Sequence, residues 1–367
     1  MRRGEQRVED RGGRDPVEPC PAVVPPDDPA REVGHGARFR HGIASRGCLR
    51  RLIALMERGI AWLFPGQGSQ AVGMGKELAD RYASAARVFE EANDALGFDL
   101  RALCFAGPQD ELDRTANTQP ALLAASIAAL RAAEEARGGL PKPAFVLGHS
   151  LGEFTAAVAG GVLSLGDALR LVRTRGELMQ AADPSGGMAA VLGLDAELVA
   201  RTIVGTGVVV ANENAPGQVV VSGPRDDLLR AGDLLKAAGA KRVVALRTSA
   251  AFHSPAMRSV APRLRQAMDL VTFSALRYRL IANTDAKVHE HARELPALLE
   301  KQVWSPVQWV ASVRRAHGEG ASVFIEFGPG NILTGLVKRI LPDAITGNVS
   351  DEGTLRQSLP LFEGGAT

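Results

Sequence analysis

A serine on a tight turn, a histidine at the start of a helix and an arginine on an otherwise apolar helix face could together run nucleophilic chemistry on a carbonyl. Ser150 lies in Gly148-His149-Ser150-Leu151-Gly152, which follows the apolar run Ala144-Phe145-Val146-Leu147 and precedes a helix-like segment, Glu153 to Ala159. A Gly-x-Ser-x-Gly turn between a buried strand and a helix needs glycines where side chains would collide. It also displays the serine hydroxyl above the sheet, beside a backbone N–H. That context is a nucleophile elbow and makes Ser150 the candidate nucleophile. The spacing alone is weak, because 40 glycines in 367 residues give roughly 0.2 chance matches. Placement between strand and helix carries the assignment.

A serine hydroxyl attacks poorly until a base takes its proton, so a histidine should stand near it. Of the seven histidines, His35 and His41 fall in an unusual leader, and His289, His291 and His317 have polar neighbours that read as surface. His149 adjoins the serine, and on an elbow its side chain points away from the hydroxyl to hold the turn. His253 remains. It precedes Ser254-Pro255, which look like the N-cap and first residue of a helix, and such strand-to-helix switches display catalytic side chains. A solvated loop histidine is the alternative.

The loop Phe64-Pro65-Gly66-Gln67-Gly68-Ser69-Gln70 follows the first strand. It is not a phosphate loop, because Gly75-Lys76 has no glycine five positions earlier and is followed by Glu77. The backbone N–H groups of Gln67 and Leu151 are instead the natural pair for an oxyanion, with a purely structural turn as the other reading. Arg175 falls in the stripe Ala168, Val172 and Met179 of a helix that Ser164 could cap, while Arg170, Arg173 and Glu177 point elsewhere. A guanidinium on an inward face must meet acceptors. It is either half of an internal salt bridge or a planar clamp for a substrate carboxylate.

These side chains need a scaffold, and the pattern from Ile60 onward supplies one. A strand at Ile60–Phe64, helices near Lys76–Asn93 and Gln119–Arg137, and the elbow strand with its helix indicate a parallel α/β sheet. Between Gly187 and Thr248 the rhythm becomes strand (188–192), helix (196–203), strands (208–211 and 218–222), helix (226–238) and strand (242–246). That βαββαβ order predicts a small ferredoxin-like α+β insertion. A helix near Pro255–Met268, a strand near Arg279–Ala282 and a last strand at Ser322–Phe327 complete the reading. The expected organisation is a leader over 1–55, a discontinuous large domain over 56–186 and 249–350, the small subdomain over 187–248, and a tail over 351–367.

Composition narrows the classes. A net charge of +2 gives no nucleic-acid signature. No apolar segment approaches the roughly 20 residues of a membrane span. Three cysteines, Cys20, Cys48 and Cys104, form neither a disulfide framework nor a metal-ligand spacing, which fits a reducing cytoplasm. The leader is rich in Arg, Gly and Pro and carries many acids, unlike a transit peptide, and is expected to be disordered. Met56, just before the first strand, is a second possible start.

Taken in order, several motifs resemble the malonyl-CoA:acyl carrier protein transacylase family over roughly residues 58–350. They are the Phe64–Gln70 loop, Gly148-His149-Ser150-Leu151-Gly152-Glu153, Arg175-Gly176, Asn212-x-Asn214-x-Pro216-Gly217-Gln218-Val219, Phe252-His253-Ser254 and Glu326-x-Gly328-Pro329-Gly330. The resemblance implies a hydrolase-like α/β core with a ferredoxin-like insertion. By it, Ser150 carries a malonyl ester, His253 is the base, Arg175 binds the malonyl carboxylate, and Gln67 with Leu151 forms the oxyanion hole. Gln302 matches the position whose backbone carbonyl orients the histidine, which removes the need for a triad aspartate. Phe252, crowding the α-carbon, would favour malonyl over methylmalonyl. The implied partners are coenzyme A thioesters and phosphopantetheinylated acyl carrier protein, with no metal or redox cofactor, no nucleic acid, no membrane and a monomeric state. Lys338 and Arg339 are candidates for steering an acidic carrier. A serine hydrolase and a noncatalytic carrier-docking subunit are the rival readings.

Overall fold

The computed structural model describes residues 59–363. The leader over 1–55 and the second start at Met56 lie outside the described residues. Along the chain the strands are β1 (Gly59–Phe64), β2 (Phe145–Gly148), β3 (Gly186–Leu192), β4 (Val209–Ala215) and β5 (Gln218–Pro224). They continue as β6 (Arg242–Ala245), β7 (Arg279–Ile281), β8 (Val288–His289), β9 (Ala321–Phe327) and β10 (Ile345–Val349). A six-stranded sheet has the order β10-β9-β1-β2-β7-β8, and a four-stranded sheet the order β4-β5-β3-β6.

The large sheet is parallel except for β8, a two-residue edge strand antiparallel to β7. Strand β1 reads as an unbroken apolar run because both of its faces are covered, as expected of a central parallel strand. Helix Thr115–Arg137 lies against this core. It is buried nearly all round, and its many alanines let helices Ala83–Leu96 and Leu165–Ala182 approach closely. β1 pairs with β2 on one side and β9 on the other, so the chain's direction of travel across the sheet reverses there. The carboxyl ends of strands at such a point form the crevice where α/β sheets bind ligands. The register sets Phe64 opposite Gly148. The loop after β1 therefore runs beside the elbow after β2.

The four-stranded sheet is antiparallel throughout, with helices Ala196–Thr202 and Arg225–Ala237 in its two crossovers. That is the ferredoxin-like arrangement expected from the strand–helix rhythm. It has its own core, in which Val191, Val199, Val221 and Leu235 are buried.

Several boundaries differ from expectation. The helix expected over Lys76–Asn93 is broken at Tyr82, whose extended backbone (φ −115°, ψ 117°) separates Lys76–Arg81 from Ala83–Leu96. The helix expected from Pro255 starts as a 3₁₀ turn over Pro255–Ser259 before Ala261–Met268. The last strand is β10 rather than Ser322–Phe327. Its half-buried edge position gives it little apolar signal. Within the stretch read as a tail, Glu352–Ser358 is a helix with an Asp351–Thr354 capping box, and Phe362 is buried.

Candidate active site

The elbow is the local consequence of two glycines. A Cβ on Gly148 would overlap the Gly152 carbonyl, and one on Gly152 would overlap the Phe64 carbonyl. No other residue lets strand, turn and helix approach this closely. Ser150 sits between them with φ 52°, a left-handed conformation that costs an L residue of order 1–3 kcal/mol. Asn283, just beyond β7, braces the turn. Its Oδ1 accepts from the Ser150 N–H at 2.7 Å, and its Nδ2 donates to the Gly148 carbonyl at 2.7 Å.

His253 also has a positive φ, 56°, and is 4 % exposed. Its Nε2 lies 2.7 Å from Ser150 Oγ. Nδ1 lies 3.0 Å from the Gln302 carbonyl and 3.1 Å from the Ser305 carbonyl. Both partners only accept, so Nδ1 carries the proton and Nε2 presents its lone pair to the serine. Burial pushes the imidazole pKa down to about 3, helped by the Arg175 charge. The ring is therefore a neutral acceptor at any physiological pH. The segment carrying both carbonyls is fixed by its own pairing: Val307 exchanges hydrogen bonds with Ala211 and Glu213 of β4, and Gln308 N–H donates to the Asn283 carbonyl.

Arg175 is 1 % exposed. Ser164 caps its helix, accepting from the Asp167 N–H at 3.0 Å. Next to it, Gly176 packs where a Cβ would lie 2.7 Å from the Thr115 carbonyl, so the helix can sit low enough to aim Arg175 inward. Nη1 donates to Gln119 Oε1 at 2.8 Å; Nη2 donates to Gln302 Oε1 at 2.9 Å and to Ser150 Oγ at 3.2 Å. Its guanidinium also lies over the Phe154 ring, 5.6 Å from the centroid. Among the described residues no carboxylate comes within ion-pair distance. Burial lowers its pKa to about 10, so it stays charged at neutral pH.

Gln67 follows β1, and its side chain donates to Thr115 Oγ1 at 3.1 Å. The backbone N–H groups of Gln67 and Leu151 find no backbone acceptor among the described residues. His149 turns away from the hydroxyl: it is half-buried, its Nε2 lies 2.8 Å from Asn214 Oδ1, and Trp309 packs 5.5 Å away. Phe252, 6 % exposed, lines the serine's cavity together with Met179, Met188, Val220 and Leu246. That cavity measures about 100 Å³. Ligand pockets that engulf a whole drug-sized molecule start near roughly 300 Å³, so this one takes a small acyl group and leaves a coenzyme outside. Hollows of about 580 and 600 Å³ elsewhere on the surface are not lined by Ser150 or His253.

The structure thus brings Ser150, His253, Arg175, Gln67, Leu151 and Phe252 around one small cavity, with the Gln302 carbonyl bonded to His253 Nδ1. Sequence reasoning missed Asn283, Gln119, Ser305 and the side chain of Gln302. Only Asn283 left a signal, as a polar residue at the carboxyl end of a buried strand. Lys338 and Arg339 are exposed on helix Ile332–Ile340, and Arg339 donates to Gln218 Oε1 of β5 at 2.5 Å.

Residues 61–357 match the acyl transferase domain family. The chain is 43 % identical over 298 residues to the malonyl CoA-acyl carrier protein transacylase of Salmonella typhimurium, covering 80 % of this chain and 96 % of that one. It is 42 % identical over 307 residues to the enzyme of the same name from Bacillus subtilis, covering 82 % and 96 %. Among solved structures, an acyl carrier protein S-malonyltransferase from Vibrio cholerae matches with a TM-score of 0.78 and 41 % identity over 81 % of this chain and 99 % of that one. A malonyl-transacylase solved in complex with its type II PKS acyl-carrier protein matches with a TM-score of 0.80 and 39 % identity over 83 % and 99 %. With a family match across most of its length and such identity to nearly whole relatives, the chain belongs to the acyl transferase family, among its malonyl CoA-acyl carrier protein transacylases.

Proposed function

We propose that this enzyme moves the malonyl group of malonyl-CoA onto the phosphopantetheine thiol of acyl carrier protein through a malonyl ester on Ser150. As Ser150 Oγ bonds to the thioester carbon, its proton passes to His253 Nε2, and the carbonyl oxygen becomes an oxyanion held by the Gln67 and Leu151 N–H groups. The C–S bond then breaks, and the departing sulfur takes the proton from Nε2. In the second half the carrier thiol gives its proton to Nε2 and attacks the ester carbon, and the serine oxygen leaves with that proton. The proton and both leaving groups are handled by serine, imidazole and thiols, so the chemistry calls for no metal or redox cofactor.

The observation that carries this reading is Arg175. A charged fork stands 3.2 Å from the nucleophile, in a cavity sized for a small acyl group, with no carboxylate of the described protein paired to it. A free carboxylate one methylene away from the reacting carbonyl is the complementary group. Phe252 on the same wall would crowd a branched α-carbon and favour malonyl over methylmalonyl. The relative solved with its carrier supports the carrier as acceptor, and fatty-acid extension is the proposed role. A cytoplasmic setting follows from these substrates; the described residues contain no helix long and apolar enough to cross a membrane.

A serine hydrolase would share the elbow but would send the ester to water. Incubation with malonyl-CoA, with and without carrier, separates the two. Transfer predicts malonyl-carrier and little free malonate, whereas rapid malonate release with no carrier product overturns it.

A further inference from the structure

Glu153 lies three residues beyond the nucleophile, fully buried in the first turn of helix Gly152–Ala159, and the proposed chemistry gives it no step. Its Oε2 accepts from Gln302 Nε2 at 2.7 Å and from the Asn283 N–H at 3.2 Å. Gln302 Nε2 also donates to the Ser150 carbonyl at 2.9 Å, and Gln302 Oε1 accepts from Arg175 Nη2. A glutamine amide has two nearly isosteric orientations, and its neighbours choose between them. Here two acceptors, the Glu153 carboxylate and the Ser150 carbonyl, both claim the NH₂ group, so the carbonyl end must face Arg175.

The same chain of contacts solves a charge problem. A buried guanidinium needs a counter-ion, but a carboxylate bonded directly to it would fill the fork. In this network the negative charge stands one amide away. Among the described residues, the charged and titratable groups around Arg175 are Glu153 on the elbow helix and His253, and Glu153 in turn faces Arg175 and Asp285. Gln119 and Phe154, the other groups against the guanidinium, are uncharged.

We propose that Glu153 is a positioning residue: acting through the Gln302 amide, it is the counter-charge that keeps Arg175 protonated while placing no protein carboxylate on its fork, so that a substrate carboxylate can bind there. The inference rests on the reading of Arg175 as the malonyl clamp. Burial pushes the Glu153 carboxyl up to about 7, so it is ionised throughout the alkaline range in which Arg175, at about 10, would lose its proton.

The test is the pH dependence of kcat/KM for loading Ser150, read by intact mass in single turnovers with malonyl-CoA and with acetyl-CoA. In the wild-type enzyme, loss of the Arg175 proton should give malonyl an alkaline limb that acetyl lacks. Removing an anion makes the neighbouring cation easier to deprotonate, so Glu153→Gln should move the malonyl limb to lower pH by about one unit or more, leaving the acetyl profile in place. Equal limbs for both substrates in the wild type would sink the clamp reading itself. Distinct wild-type limbs with no shift in Glu153→Gln, or an equal shift for both substrates, would overturn only the role of Glu153. Should Glu153→Gln fail to fold, the reciprocal measurement decides: in Arg175→Ala the Glu153 carboxyl, followed by its infrared C=O stretch, should titrate at higher pH than in the wild type. An unchanged titration overturns the proposal.

Discussion

Arg175→Ala separates a substrate clamp from a scaffold. Without the guanidinium, the malonyl carboxylate is desolvated with no partner, a loss of roughly 2–5 kcal/mol for a buried charge pair, while a neutral acetyl group loses nothing comparable. The variant should therefore lose most malonyl loading and gain relative activity towards acetyl-CoA. An equal fall for both thioesters in a protein of unchanged melting temperature would assign Arg175 to the fold. His253 makes a second prediction, about pH. A base with its pKa held near 3 stays unprotonated as pH falls through the 6.5 of an ordinary imidazole. The acid limb of kcat/KM for serine loading should then lie well below 6.5, and a limb at 6.5 would show a solvated, unperturbed histidine. Serine, histidine and arginine were legible in the sequence because each breaks a local pattern: a turn, a helix start, an apolar stripe. Gln119 and the side chain of Gln302 broke none, and Asn283 showed only as a polar residue ending a buried strand. An amide works through what it touches, and its partners here lie 56 to 152 residues away.

At the scale of elements, the elbow depends on a closeness that only glycine permits. Gly152→Ala drives a methyl group into the Phe64 carbonyl, backbone against backbone, with no flexible side chain to yield. Its cost should sit at or above the upper end of the roughly 1–3 kcal/mol of overpacking, with β1 and the elbow forced apart and the serine ester lost. A variant that melts and loads normally would show the contact to be soft. Glu326 presents another element-scale test. Its buried carboxylate accepts from the N–H groups of Leu333 and Thr334 and from the Thr334 hydroxyl, closing the start of helix Ile332–Ile340. Glu326→Ala leaves those donors unpaired and should destabilise the protein by about 2–3 kcal/mol, read as a lower melting temperature. An unchanged melting temperature would mean that other acceptors take their place. The strands of both sheets were readable from apolar runs and alternation, except β8 and β10. Those two are short, half-buried edges where neither period stands out. The break at Tyr82 was hidden because apolar spacing continues across it.

For the molecule as a whole, the two-sheet architecture followed from the change of rhythm between Gly187 and Thr248, since a βαββαβ order leaves few ways to close a small sheet. What the sequence could not convey is how segment 302–308, laced to β4, presents its carbonyls to a histidine some 50 residues earlier. The family match begins at residue 61 and covers every residue placed at the site. An enzyme started at Met56 should therefore keep the melting temperature and transfer rate of the full chain, and a fall in either would give the leader a structural role. The central claim, that Ser150 holds the malonyl group and passes it to the carrier, is tested most directly by intact-protein mass. After malonyl-CoA the wild-type chain should gain one malonyl group, and adding carrier protein should discharge it onto the carrier. Ser150→Ala, which still fits the turn, should fold and gain nothing. A malonyl adduct of undiminished yield on Ser150→Ala, or a wild-type adduct that the carrier does not take up, would contradict the account.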